Sequence, residues 1–137
     1  MDAKLCPCGS QKNYRECCGK YHLGKVPEHA LSLMRSRYSA YAEGNCGYIV
    51  DTTNPAQLNA IENLEDWKLG ISHFCKENEF VKLEVKEFIE GNDISYVTFI
   101  AHLKNSQGEY RLKEKSRFDK INDKWLYTSY DWHHVEL

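Results

Sequence analysis

Residues 109–118 read EYRLKEKSRF and alternate without a break. Tyr110, Leu112, Glu114, Ser116 and Phe118 fall on one face; Glu109, Arg111, Lys113, Lys115 and Arg117 fall on the other. Such alternation is the mark of a half-buried strand, because successive side chains point to opposite sides of a sheet. One face meets a core and the other is basic and solvated. The same period extends outward in both directions. Val81, Leu83 and Val85 share a face within 80–89, and 94–103 is rich in β-branched and aromatic residues. Gly91-Asn92-Asp93 between them reads as a hairpin turn. Asn122-Asp123 is another turn, and Trp125, Tyr127 and Trp132 mark a last strand over 124–132. Consecutive strands joined by tight turns predict an antiparallel sheet of four.

Before residue 80 the period is helical. From Pro27, Leu31, Met34, Tyr38, Tyr41 and Ala42 recur at i, i+3, i+4 spacing until Gly44-Asn45 stops them. A short helical piece follows from Gly47 to Thr52, and Asn54-Pro55 marks a turn. Asn63 caps a second amphipathic helix running to about Asn78, with Leu64, Trp67, Ile71, Phe74 and Cys75 as its stripe. Helices first and strands after make an α+β fold, the helices lying against one face of a curved sheet.

The chain has 137 residues, room for one ordinary domain and a small appendage. Its formal net charge of −2 gives no broad electrostatic reason to bind nucleic acid or an anionic membrane, local patches aside. No apolar run approaches the roughly 18 residues that a membrane helix needs. The opening MDAKLCPCGS lacks an apolar signal-peptide core, so a cytoplasmic location is expected.

Four of the six cysteines crowd into residues 6–18. In CPCGSQKNYRECC, Cys6 and Cys8 flank Pro7 and can turn toward one ion; Gly9 lets the chain fold back, and Cys17 and Cys18 close the set. Zinc takes four thiolates in a tetrahedron. A full shell leaves no open position, so the expected Zn²⁺ is structural and contributes folding energy to a module with little apolar surface. Adjacent cysteines pair poorly as disulfides, and the crowding suits a metal in a reducing compartment. Iron–sulfur ligation is an alternative, although cluster motifs space their cysteines more widely; buried free thiols are another. The expected division is a zinc module over 1–24 and an α+β body over 25–137. The module should melt when its metal is lost, and the body should stay folded.

The run CPCGSQKNYRECCGKYH resembles the SEC-C motif, the zinc module at the C-terminus of the secretion ATPase SecA and in other bacterial proteins. The resemblance implies Cys6, Cys8, Cys17 and Cys18 as ligands. It also implies protein docking, since the SecA module binds a chaperone and approaches the ribosome. With this motif in front, LMRSRYSAY at 33–41 and EKSRF at 114–118 resemble the YchJ-like family of uncharacterised bacterial proteins. That likeness implies an NTF2-like body, a cone in which helices pack into a bent sheet. Many members carry a second SEC-C motif after the body; none is legible in these 137 residues. No enzymatic activity is implied.

Within the body, Glu114 and Ser116 interrupt an otherwise apolar strand face. A buried carboxylate needs a partner, and Arg35 and Arg37 flank the stripe of the first helix. One reading is a structural ion pair between helix and sheet. The other is a polar patch in a cone-shaped pocket, with Glu114, Ser116, Tyr110, Arg35 and Arg37 as candidate pocket residues. His73, His102, His133 and His134 have no spacing that requires a second metal site, and Cys46 and Cys75 read as small core residues. The stripe Arg111, Lys113, Lys115 and Arg117 reads as a solvated face. Three functions compete: a noncatalytic adaptor docking a protein partner through its zinc knuckle; an NTF2-like enzyme or small-molecule binder using the Glu114 pocket; and ribosome or RNA contact through stripe and knuckle.

Overall fold

A computed structural model describes residues 4–137. A 3₁₀ turn at Tyr14–Glu16 leads into α1 (Cys18–His22). Four helices follow: α2 (Ala30–Glu43), α3 (Cys46–Asp51), α4 (Pro55–Ala60) and α5 (Leu64–Glu77). The chain then forms β1 (Glu79–Ile89), β2 (Ile94–Asn105), β3 (Gly108–Ile121) and β4 (Lys124–Glu136). The strands pair antiparallel in the order β1-β2-β3-β4, a simple meander, as the turn signals predict.

Local chemistry sets the helix boundaries. The His29 ring accepts from Ser32 N–H, so α2 begins at Ala30 rather than Pro27. Gly44 ends it in the left-handed region at φ 72°, where a glycine carries no steric penalty. Asn63 caps α5 as expected, accepting from Asp66 N–H. Asn54-Pro55 does more than turn: Asn54 accepts from Ala56 N–H and Pro55 occupies the first helical position of α4. The segment between α3 and α4 is stitched to β4, with Asn54 N–H donating to Tyr127 O (2.7 Å) and Tyr127 N–H to Thr52 O (2.8 Å).

The pairing shifts register at four places, two between β1 and β2 and two between β3 and β4, and one of them changes the reading of the inner face. The β1–β2 register shifts between Phe80 and Lys82. This bulge turns Val81 out to solvent, 48% exposed, and leaves Phe80 packed on the core with Leu83 and Val85. Val81 therefore does not share the inner face. An extra residue in one strand of a pair breaks the period of two and bends the strand.

The main core joins Leu33, Met34 and Tyr38 of α2 to Val97, Leu103 and Phe118 of the sheet. Burying a side chain such as Leu33 or Phe118 stabilises by about 1.5–3 kcal/mol. Cys6, Cys8 and Cys18 belong to this same core. The N-terminal module is thus seated on α2. Arg35 Nη1 donates to Cys8 O (2.9 Å), His22 Nε2 bonds Ser36 O (2.8 Å), and Lys4 pairs with Glu43.

Candidate functional site

The N-terminal loop is folded by its own backbone. Cys6 N–H donates to Lys12 O (2.9 Å) and Tyr14 N–H to Lys4 O (2.8 Å). Gly9 and Gln11 take positive φ, 83° and 67°, to reverse the chain. This brings Cys6 and Cys8 over the start of α1, which presents Cys17 and Cys18. All four sulfurs lie within 4.8 Å of one another, and Cys8 Sγ is 3.7 Å from Cys17 Sγ. Four sulfurs at about 2.3 Å from one zinc stand about 3.8 Å apart, so the donor set fits a tetrahedral thiolate site.

Ser10 Oγ, 3.2 Å from Cys17 Sγ, and Ser39 Oγ, 3.5 Å from Cys6 Sγ, support the sulfurs from outside. Cys18 is pushed above the ordinary thiol range by its contacts with Cys6 and Cys8, and Cys17 by burial. Thiols this close do not all ionise without a cation between them. Among the described residues this quartet alone gathers metal-binding side chains in one place. His102 is spent on Glu84 (2.5 Å), while His73 is exposed on α5 and His133 and His134 are exposed on β4.

A cavity of about 510 Å³ lies between α2, α5 and the sheet. Its walls are aromatic: Tyr38 and Tyr41 from α2, Trp67 and Phe74 from α5, Phe80 and Phe99 from β1 and β2. Tyr41, Phe74 and Phe80 stand with ring centroids 5.8–6.2 Å apart. Glu114 and Ser116 on β3 supply the polar floor, with Arg37 and Tyr127 beside them. Ser116 Oγ donates to Glu114 Oε2 at 2.5 Å, the carboxylate's sole hydrogen bond among the described residues. Burial pushes the Glu114 carboxyl above the usual range; the Ser116 hydrogen bond and the charges of His133 and Arg37 pull the other way.

The candidate pocket residues divide. Glu114, Ser116 and Arg37 line the cavity, but Arg37 is not an ion-pair partner of Glu114. Its Nη1 faces Ile49 O (3.0 Å), Thr52 Oγ1 (2.8 Å) and Thr53 Oγ1 (3.2 Å), and its guanidinium lies 4.6 Å from the Tyr127 ring centroid. Arg35 is outside the cavity, held on the carbonyl of Cys8. Tyr110 is also outside: its hydroxyl bonds Asn78 at the end of α5. Each is drawn off by a nearer partner, which spacing along the chain does not reveal.

The sequence does not single out Tyr38, Trp67 or Phe74 for the site. They read as core stripe, which they are, and only the packing leaves space in front of them. Cys46 and Cys75 pack beside Ala40, Ile49 and Ile71 in a small second core. The basic stripe is largely matched: Arg111 and Lys113 meet Glu136, Lys115 meets Asp131, and Arg117 meets Asp119. No helix among the described residues is long and apolar enough to cross a membrane.

Comparison with known proteins agrees with both parts. Residues 29–129 match the model of the YchJ middle NTF2-like domain, and residues 4–20 match the SEC-C motif. The solution structure of a SEC-C motif containing protein from Rhodopseudomonas palustris is similar at 30% identity and TM-score 0.82, covering 93% of this chain and 98% of that one. The crystal structure of a SEC-C motif containing protein from Psychrobacter arcticus is similar at 29% identity and TM-score 0.80, covering 92% of this chain and 81% of that one.

Proposed function

The chain belongs to the family defined by the YchJ middle NTF2-like domain, and on that footing we propose that it binds a small, largely apolar molecule in its cone, with a zinc-loaded knuckle as a brace. The observation that carries this reading is the cavity of about 510 Å³ with a carboxylate on its floor that no basic side chain ties down. Pockets of about 300–1,000 Å³, apolar with a few convergent polar groups, are what small ligands occupy. The knuckle's role follows from its donor set: four thiolates complete a tetrahedral shell, so zinc there holds shape and has no position left for a reactant. A reducing, cytoplasmic setting keeps the four thiols available to the metal.

The test is saturable binding of a neutral hydrophobic fluorophore, Nile red, by the metal-loaded chain. Ala101, buried on β2 and lining the cavity, is replaced by phenylalanine to fill the space. Binding by the wild type and its loss in a folded A101F variant support the reading. Absence of saturable wild-type binding, or equal binding by A101F, overturns it. Metal content measured by plasma mass spectrometry should be one zinc per chain.

A second reading is favoured by a separate observation. Leu5 and Leu23, which flank the four cysteines in sequence, stand 64% and 89% exposed, with Val26 further along the chain at 43%. Exposed apolar side chains on a rigid knuckle fit docking to a protein segment, the adaptor role. Deleting 1–24 would also strip part of the shared core, so the cleaner perturbation is Leu5→Ser with Leu23→Ser. A partner captured by both intact and double-variant protein would refute docking through this face.

A further inference from the structure

We propose that the cone's ligand is an organic ammonium: an amine whose charged nitrogen sits on Glu114 and whose aromatic or alkyl body lies among the rings of α2, α5 and β1. This rests on the reading of the cavity as a ligand site and adds the chemical class of its occupant.

Two observations meet at the site. Glu114 is the anionic group on the cavity floor, and Ser116 satisfies one of its oxygens while leaving room for further donors. A carboxylate accepts several hydrogen bonds, and an unpaired one in an apolar enclosure is costly until a cation or proton joins it. The nearby positive charge is already occupied. Arg37 Nη1 faces three acceptors of the α3–α4 segment, and the guanidinium is stacked on Tyr127. The other basic neighbour is His133 on β4, which lies across the strand pair from Glu114 and is exposed.

The walls supply the second observation. Tyr41, Phe74 and Phe80 pack against one another, centroids 5.8–6.2 Å apart, and together form one aromatic wall of the cavity. Aromatic faces carry negative potential and attract organic cations most strongly where water is excluded. A carboxylate and aromatic walls match an amphipathic amine better than a fatty acid, whose anionic head Glu114 would repel.

Three probes of one shape separate the possibilities: 2-phenylethylamine, 2-phenylethanol and 3-phenylpropanoate, titrated by calorimetry into the metal-loaded chain and into E114Q. The expected result is binding of the amine at least tenfold tighter than the alcohol, with the anion weakest. In E114Q, checked for an unchanged fold by its far-UV circular dichroism spectrum, the preference for amine over alcohol should shrink to about twofold or less. Equal binding of amine, alcohol and acid, or a preference that survives E114Q, overturns the ammonium assignment and leaves the cavity reading standing. Binding of none of them, together with failure of Nile red to bind, overturns both.

Discussion

Replacing Arg37 by methionine (R37M) keeps an unbranched stem in the α2 interface and removes the guanidinium. The side chain is 7% exposed, so the groups it leaves behind cannot turn to water. Its Nη1 faces Ile49 O, Thr52 Oγ1 and Thr53 Oγ1 at 3.0, 2.8 and 3.2 Å. That nitrogen carries two hydrogens, so the three contacts count as about two full bonds, each worth about 1.5–3 kcal/mol with a charged donor. The cost of burying the guanidinium disappears with it. The net loss should be about 3 kcal/mol, or roughly 10 °C of melting temperature for a chain of this size.

Circular dichroism melts of wild type, R37M, E114Q and the double variant test this directly. Because Arg37 serves the α3–α4 segment rather than Glu114, R37M should be strongly destabilised, E114Q should not be, and their effects should add to within about 1 kcal/mol. Destabilisation of E114Q comparable to R37M, with a coupling of about 3 kcal/mol, would show that the two form a buried ion pair after all.

Other expectations concern pH, the metal and the junction. Burial raises the Glu114 carboxyl, so its favourable contribution is present below the ordinary carboxylate pKa and is lost as pH rises through the raised value. E114Q should therefore melt close to wild type at pH 4 and above it at pH 8; a gap that does not widen with pH would contradict this. Cys17→Ser, at the partly exposed corner of the cluster, should release the metal. Since Cys6, Cys8 and Cys18 share the core with α2, it should also lower the melting temperature of the sheet by about 5 °C or more; an unchanged melt would mean that knuckle and body are energetically separate. His22 bridges Tyr14 Oη (2.5 Å) and Ser36 O (2.8 Å). His22→Ala should cost about 2 kcal/mol for two hydrogen bonds and speed zinc transfer to a chromogenic chelator, and an unaltered transfer rate would remove His22 from the brace.

Much of this molecule is readable from local pattern. The alternation of 109–118 places β3 and its inward Glu114 correctly, because one-sided burial forces a period of two. The thiol cluster is readable for a different reason. Cys6, Cys8, Cys17 and Cys18 are close in sequence and converge through one turn, so their chemistry needs no long-range geometry. Legibility ends where partners are remote. Val81 is misplaced by a bulge that leaves no trace in composition. Arg35 and Arg37 look equivalent on α2, yet one bonds the knuckle and the other the α3–α4 segment, according to what tertiary packing brings near. The cavity is harder still: Tyr38, Trp67 and Phe74 fulfil the helical pattern of core residues whether or not a void stands before them. The seating of the cysteines in the main core is equally invisible, since it depends on contacts between residues some thirty positions apart, such as Cys6 with Ser39.

The cone as the functional site is tested most directly by an amide NMR titration of the metal-loaded chain with indole, a neutral aromatic donor small enough for the cavity. Saturable shifts at Gly70, Ala101, Glu114 and Ser116, with Gly9 and Gly19 of the knuckle unmoved, are the predicted result. Shifts confined to the knuckle or to the outer strand face around Lys113 and Lys115 would contradict it.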